Sequence, residues 1–239
     1  SDLIIAIGAR FSDRVISDAK KFAKNSKVFH IDIDPAEINK NIPTVGSLIG
    51  NVKDVLARLL PLINEKPESD WNKKVTEWKG HVPSSYANII PMNPKVIFEH
   101  VHNTLGDDTI ITTEVGQHQM WAAQFYPFAK PRTFLTSGGL GTGAAIGAQV
   151  ANPDKKVVHF AGDGSFRMNC NELATIGHYN LPIIIVVLNN GTLGMVRQWQ
   201  KLFYGKHYSQ TTLDFGPDFV KLAEAYGIQG FRATSEQEF

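Results

Sequence analysis

Residues 157–190 read VVHFAGDGSFRMNCNELATIGHYNLPIIIVVLNN, and this stretch decides the fold. Residues 157–160 form a short apolar run and residues 183–188 a longer β-branched one. Between them, residues 169–179 place Leu173, Ile176 and His178 or Tyr179 about a turn apart, which predicts a helix. Two apolar strands joined by a helix form a βαβ unit, with the strands parallel in one sheet. The residues that follow the strands, Gly162-Asp163-Gly164 and Asn189-Asn190, then lie at the same sheet edge. Open α/β sheets bind their ligands at that edge.

The residues gathered there are suited to one kind of chemistry. Asp163 supplies a carboxylate and Asn190 an amide oxygen, both hard ligands suited to Mg²⁺ or Ca²⁺. Gly162 and Gly164 allow a backbone to pass close to a diphosphate, and the Ser165 N–H lies near a helix start, where anions are favoured. The unit therefore predicts a metal-bound diphosphate. A bare GDG would favour an ordinary strand–turn–helix with a solvated Asp. The helix, the apolar strand and the closing NN favour the ligand site.

GDG followed at this distance by NN resembles the signature of thiamine-diphosphate enzymes. More narrowly, VGQHQMWAAQ (115–124), TSGGLGT (136–142) and GMVRQWQ (194–200) resemble the large catalytic subunit of acetolactate synthases, also called acetohydroxyacid synthases. The likeness covers nearly the whole chain, with the motifs in the family's order. It implies an α/β fold of doubly wound parallel sheets. Residues 1–64 would be the end of a central FAD-type domain, residues 65–92 a linker and residues 93–239 the thiamine-diphosphate domain.

By the same resemblance, Asp163, Asn190 and the backbone oxygen of Thr192 hold Mg²⁺. Val115, Gly116, Gln117 and His118 lie on the diphosphate side of the cofactor, and Gly141, Gly162, Gly164, Ser165 and Gly194 also contact it. Met195 wedges beneath the bent cofactor, and Trp199 lines the substrate pocket and favours 2-ketobutyrate. Met195, Trp199 and Gln117 are the catalytic candidates. Gly8, Ala9, Arg10 and Val15 (in GARFSDRV, 8–15) follow the phosphates and ribityl chain of FAD. Asp32 and Ile33 (in HIDIDPAEI, 30–38) lie near its adenosine end. Two departures stand out. Gly50-Asn51 replaces the family's Gly-Asp, and the text after Gly141-Thr142 is several residues shorter, which leaves one pyrimidine contact unassigned.

The reaction implied is decarboxylation of pyruvate and condensation with a second pyruvate or 2-ketobutyrate, on the route to valine, leucine and isoleucine. The flavin would be structural. Active sites would be shared between two subunits of a homodimer or larger homo-oligomer, and a regulatory small subunit is possible. The activating glutamate of the family belongs to a domain absent from this sequence, and Glu114 does not match its motif. The alternatives are another pyruvate-using thiamine enzyme, such as a pyruvate oxidase or glyoxylate carboligase, or a cofactor-binding module without turnover.

The composition is that of a soluble globular protein. In 239 residues, 43% are hydrophobic and 20% charged, with a net charge of +1. So balanced a charge argues against nucleic acid or an anionic membrane as the main partner. The basic, aromatic run RQWQKLFYGKH (197–207) is explained as well by an anionic substrate. No apolar run approaches the ~18 residues that span a bilayer. Cys170 is the single cysteine. It permits no internal disulfide and fits a reducing compartment such as the cytoplasm. The chain opens without Met in an apolar strand and closes on a Ser235–Glu238 capping-box pattern, and we read it as a piece of a longer polypeptide.

Elsewhere the patterns predict strands at 3–7, 28–33, 109–113 and 133–135, and helices at 18–24, 52–63, 71–79, 93–102, 119–125 and 215–226. Residues 81–94 read as irregular. A lone histidine after a strand, such as His118, is more often structural than functional. Only the family resemblance raises it to a diphosphate contact.

Overall fold

The computed structural model describes residues 1–80 and 92–239, and the chain divides into two compact units, Ser1–Val82 and Pro83–Phe239. The irregular segment expected over 81–94 falls outside the described residues except for its last three.

In the first unit, β1 (Leu3–Ile7), β2 (Lys27–Asp32) and β3 (Gly46–Ile49) form a parallel sheet in the order β1-β2-β3. Its core is Ala6, Phe11, Ile16, Val28 and Ile42. Leu3, Ile5 and Ile7, alternating on the other face of β1, are exposed. The sequence pattern does not reveal β3, which is short and begins Gly-Ser. At Gly46 a side chain would collide with the Phe29 ring, 2.8 Å from where its Cβ would sit, so the glycine lets that ring lie across the strand.

The helix expected over 18–24 does not form. Instead α1 (Asp13–Ile16) precedes a run of turns. Ser17 and Ala23 adopt positive φ, and the Asp18 carboxylate accepts the Lys20 N–H, which competes with helical bonding. Next come α2 (Val52–Leu59), extended by a 3₁₀ turn Leu60–Leu62, and α3 (Asp70–Gly80). Asn51 caps α2 by accepting the Lys53 N–H. Asn serves there as well as Asp would, so the departure from Gly-Asp does not weaken the helix start.

In the second unit, β4 (Ile110–Thr113), β5 (Phe134–Thr136), β6 (Val157–Gly162) and β7 (Ile183–Leu188) form a parallel sheet in the order β5-β4-β6-β7. The two central strands are buried along almost their whole length, which is why VVHFA and IITT do not alternate. One face is covered by α4 (Pro94–Leu105) and α5 (Gln117–Phe125). There Ile97, Phe98, Val101, Trp121 and Ala122 pack on Ile111, Val158 and Phe160. Against Ile110 and Val157 on the other face, α6 (Thr142–Ala151) buries Ala145 and Ala148. Helices on both faces of a parallel sheet make a doubly wound α/β unit. The Gly/Ala-rich sequence of α6 has little periodicity, so the helix is not evident from pattern.

The decisive βαβ unit forms, and its two strands pair in register from Val157↔Ile183 to Gly162↔Leu188. Its connection starts with the short α7 (Asp163–Phe166), and the helix expected over 169–179 forms as a 3₁₀ turn Cys170–Glu172 that runs into α8 (Leu173–His178). Between α7 and that helix stands Asn169, whose backbone is not helical and whose amide is drawn to Glu114. The chain continues through α9 (Gly194–Phe203) and α10 (Phe219–Ala225). Near the end, Glu238 accepts from the N–H and hydroxyl of Thr234, and also from the Ser235 backbone N–H, as the capping-box reading expects.

Candidate diphosphate and metal site

The order β5-β4-β6-β7 fixes where a ligand can enter. From β4 the chain moves to β5 on one side, and β6 lies on the other side of β4. The order therefore reverses between β4 and β6, and the carboxyl ends of those strands flank a crevice. Residues 115–118 follow β4, residues 162–165 end β6, and residues 190–195 follow β7. These three segments line one cleft of about 140 Å³.

Most of the expected site residues meet there: Val115, Gly116, Gln117, His118, Gly162, Asp163, Gly164, Ser165, Asn190, Thr192, Gly194 and Met195. Gly141 and Trp199 are not among the residues lining it. Gly141 lies at the start of α6. Trp199 is one turn along α9 from Met195, edge-on to Phe203. Trp121, Leu188, Leu193 and Val196 also line the cleft and are not foreseen. They look like ordinary core residues in the sequence, and only the fold shows that they face the crevice.

The glycines leave the cleft walls unusually close together. A Cβ on Gly162 would lie 3.0 Å from His118 Nδ1, and one on Gly164 would lie 2.6 Å from Leu193 Cδ2. One on Gly194 would meet Gln117 Oε1 at 2.1 Å and Asn190 Nδ2 at 3.2 Å. Gln117 is held across the cleft mouth by its bond to Gln198 Oε1, at 3.2 Å.

Asp163 is buried, 4% exposed. Burial pushes its pKa up, and hydrogen bonding from backbone amides, Asn190 and Gly164 included, only partly counters this. Arg167 acts on it only through space. A buried carboxylate in this position favours an arriving cation. Among the described residues, no cluster of three or more His, Cys, Asp or Glu is placed to hold a metal. A cation at Asp163 would thus draw on neutral oxygens and on ligand phosphates, as Mg²⁺ commonly does. Asn190 Oδ1 accepts the N–H and hydroxyl of Thr192, both at 3.1 Å, so a cation would share or displace one of these. Thr192 faces Thr212 in an antiparallel bridge whose bonds run Leu193 N–H to Thr211 O and Leu213 N–H to Gly191 O. This pattern leaves the Thr192 carbonyl unused by the bridge.

Among the described residues lining the cleft, His118 has an unmet hydrogen-bonding need. It is 3% exposed, its ring hydrogen-bonds to the Glu114 backbone, and its Nε2 is buried without a partner. Burial lowers its pKa to about 4, against the opposing effect of that backbone bond. An orphaned ring nitrogen between glycine turns fits a site that is completed by a ligand.

Beneath the cleft lies a polar network that the sequence reading does not anticipate. Glu114 is fully buried. Its carboxylate accepts from Gly141 N–H (2.7 Å), Thr142 N–H (3.0 Å), Thr142 Oγ1 (2.9 Å) and Asn169 Nδ2 (3.0 Å), with His159 Nε2 at 3.3 Å. His159 is fixed in turn by Thr112 Oγ1 at 2.8 Å. The signal available in the sequence is IITTE itself: polar residues that end a buried strand must find partners.

Burial alone would raise the Glu114 pKa, but the bonds from His159, Asn169, Gly141 and Thr142 outweigh it and hold the pKa at about 2. An acid-stability prediction follows. A folded-state pKa below the unfolded value of 4.5 adds stability above pH 4.5 that is lost as pH falls toward 2. Its size is roughly 3 kcal/mol. His118 acts earlier: its folded pKa of about 4, below the ordinary 6.5, removes stability as pH falls from 6.5 to 4. Urea unfolding from pH 7 to 3 is expected to show both legs, with Glu114→Gln flattening only the lower one. An unchanged lower leg would exclude an ionised Glu114.

Comparison with known proteins agrees with this arrangement. Residues 114–239 match the family described as thiamine pyrophosphate enzyme, C-terminal TPP binding domain, and residues 1–59 match the central domain of the same enzymes. A probable acetolactate synthase large subunit of Methanococcus aeolicus is 45% identical over the whole chain, which covers 44% of that protein. The acetolactate synthase large subunit of Haemophilus influenzae is 42% identical, with 100% of this chain and 44% of the relative covered. That of Lactococcus lactis is 45% identical, covering 96% of this chain and 41% of the relative. The chain thus spans less than half the length of these curated relatives.

Proposed function

This chain belongs to the thiamine pyrophosphate enzyme family, and we propose that it supplies the diphosphate- and metal-holding half of an acetolactate synthase active site. The observation that carries the reading is the convergence of residues 115–118, 162–165 and 190–195 on one switch-point cleft, where Asp163 is buried with its charged form disfavoured and His118 Nε2 has no partner among the described residues. The resemblance of the motif text to acetolactate synthases, and the names of the similar proteins, support this activity over others in the family.

Mg²⁺ would be held by Asp163, the Asn190 amide oxygen and the Thr192 carbonyl, with phosphate oxygens completing its shell. Thiamine diphosphate, when bound, supplies the electron sink needed to decarboxylate a 2-keto acid and join the remainder to a second one. The chain's own residues position and neutralise. Gly162 and Gly164 let the diphosphate approach the backbone, and the Ser165 N–H lies at a turn start that suits an anion. His118 offers a buried ring nitrogen, and an arriving anion favours the protonated ring. Met195 forms part of the apolar wall, and Gln117, tied to Gln198, stands at the mouth. The substrates are pyruvate and 2-ketobutyrate, with Trp199 on α9 bearing on the choice between them.

In the first unit we assign FAD to the carboxyl edge of β1 and β2. Gly8 (φ +61°) has open space around its Cβ position, and Asp32 is buried with its Oδ1 accepting the Asp34 N–H at 2.9 Å. Ala9, Arg10, Val15 and Ile33 lie on the same segments. The reading extends to a homo-oligomer with shared sites in the cytoplasm, and to a small regulatory subunit, which the words "large subunit" in the relatives' names support. Among the described residues, no helix is long and apolar enough to cross a membrane.

Product analysis tests the activity. The complete polypeptide, given pyruvate, thiamine diphosphate and Mg²⁺, is expected to form acetolactate, and acetohydroxybutyrate when 2-ketobutyrate is added. Acetate formed with oxygen uptake would move the assignment to an oxidase, and no turnover at all would leave a binding module.

A further inference from the structure

The amino end of α6 carries the N–H groups of Gly141 and Thr142, and both point to Glu114 at 2.7 and 3.0 Å. This helix has no side-chain cap of its own. A helix start with free amides is a natural anion site, and α6 begins at the same sheet edge as the candidate cleft. Here an internal anion already fills it. We propose that Glu114 is a positioning residue for the cofactor site: its buried carboxylate serves as the resident anion of α6 and leaves the Gly162–Ser165 turn as the anion-binding end of the switch point.

The geometry gives that carboxylate a second task. Its Oε1 also accepts from Asn169, which follows α7, the short helix that starts at Asp163. Glu114 N–H bonds to Phe160 O at 3.1 Å, and Val115 and Gly116 follow directly. The side chain therefore ties the 137–142 turn and the segment carrying Asp163 to the residue whose backbone leads into the 115–118 turn. Five donors converge on it and no acceptor competes, so an amide in its place would set an NH₂ against an N–H, whichever way it turned. Residues that orient ligands from outside a site typically alter affinity by roughly 10–100-fold.

This assignment rests on the reading that the cleft takes thiamine diphosphate, and its test separates the two. Titrating the complete polypeptide with thiamine diphosphate and Mg²⁺, well below its melting temperature, is expected to show Glu114→Gln raising Kd about tenfold or more. At saturating cofactor kcat should fall by less than about threefold, since Glu114 touches no reacting atom. Thr142→Val removes one donor, keeps both amides, and should raise Kd by a smaller factor. In Glu114→Ala, added formate should raise the melting temperature and recover cofactor affinity, while wild type should not respond. A wild-type protein that does not bind thiamine diphosphate would overturn the reading of the cleft. Wild-type binding together with unchanged Kd in Glu114→Gln and Thr142→Val, or a kcat loss that tracks the Kd change, would overturn the role of Glu114 alone. So would an absence of formate rescue in a folded Glu114→Ala.

Discussion

Asp163→Ala is expected to abolish metal-dependent binding of thiamine diphosphate, while the unliganded protein stays folded. Asp163 is the only carboxylate among the residues lining the cleft, and it is buried. Removing one member of a buried, hydrogen-bonded charge pair costs about 3 kcal/mol or more, roughly a hundredfold or more in Kd. The isosteric Asp163→Asn gives a sharper signature. Burial disfavours the charged form of Asp163 in the unliganded protein, so the neutral amide should leave the apo melting temperature unchanged or raise it while binding is lost. Function and stability then move in opposite directions, as expected where a site holds a charge that only its ligand neutralises. Titration calorimetry with and without Mg²⁺, beside an apo melt, reads both quantities. The raised pKa also fixes the sign of the pH dependence: cation affinity should strengthen as pH rises through the titration of Asp163, with a proton released on binding. Binding by Asp163→Asn as tight as wild type would exclude a metal-bound diphosphate at this turn.

The fold was legible where hydrophobic pattern and turn chemistry agree. The strand at residues 183–188 and the strand-end turns at Asp163 and Asn190 could be placed from the sequence, because a parallel sheet sends the ends of its strands to one edge. What escaped has physical causes. Helix α6 is built of Gly and Ala against a flat sheet, so it has no apolar stripe to read. β3 is four residues long and gains its place from the Phe29 ring lying over Gly46. The helix expected over 169–179 forms from Cys170 onward with a 3₁₀ first turn, and only Asn169, whose amide bonds Glu114, stays outside it. The candidate site was legible as ligand chemistry in GDG and NN, and as a family resemblance at Gln117, His118 and Met195. The Glu114 network was not, since its members are far apart in sequence and each is unremarkable alone.

Gly141→Ala should be the most disruptive single-methyl change in the second unit. Gly141 has φ −111°, a conformation open to any residue, so the requirement for glycine is one of space, not of backbone angle. A Cβ there would lie 2.3 Å from the Thr113 carbonyl oxygen, 2.8 Å from its carbon and 3.0 Å from the Glu114 nitrogen. These are backbone atoms of a central strand, fixed by pairing to β5 and β6, and no rotamer change can relieve them. Overpacking of a core usually costs about 1–3 kcal/mol, and a backbone collision belongs at or above the top of that range. The displacement also pulls the Gly141 N–H from Glu114, which leaves a buried carboxylate short of a donor at a further cost of about 1–3 kcal/mol. At roughly 2–4 °C per kcal/mol for a domain of this size, melting should fall by about 10 °C or more. Gly138 and Gly139, three and two residues earlier, have nothing within 4 Å of their Cβ positions and ordinary φ values. Alanine at either should change stability by no more than about 0.5 kcal/mol. The contrast isolates the cause: if all three alanine variants melt alike, the turn is free to move, and neither Glu114 nor β4 holds α6 in place.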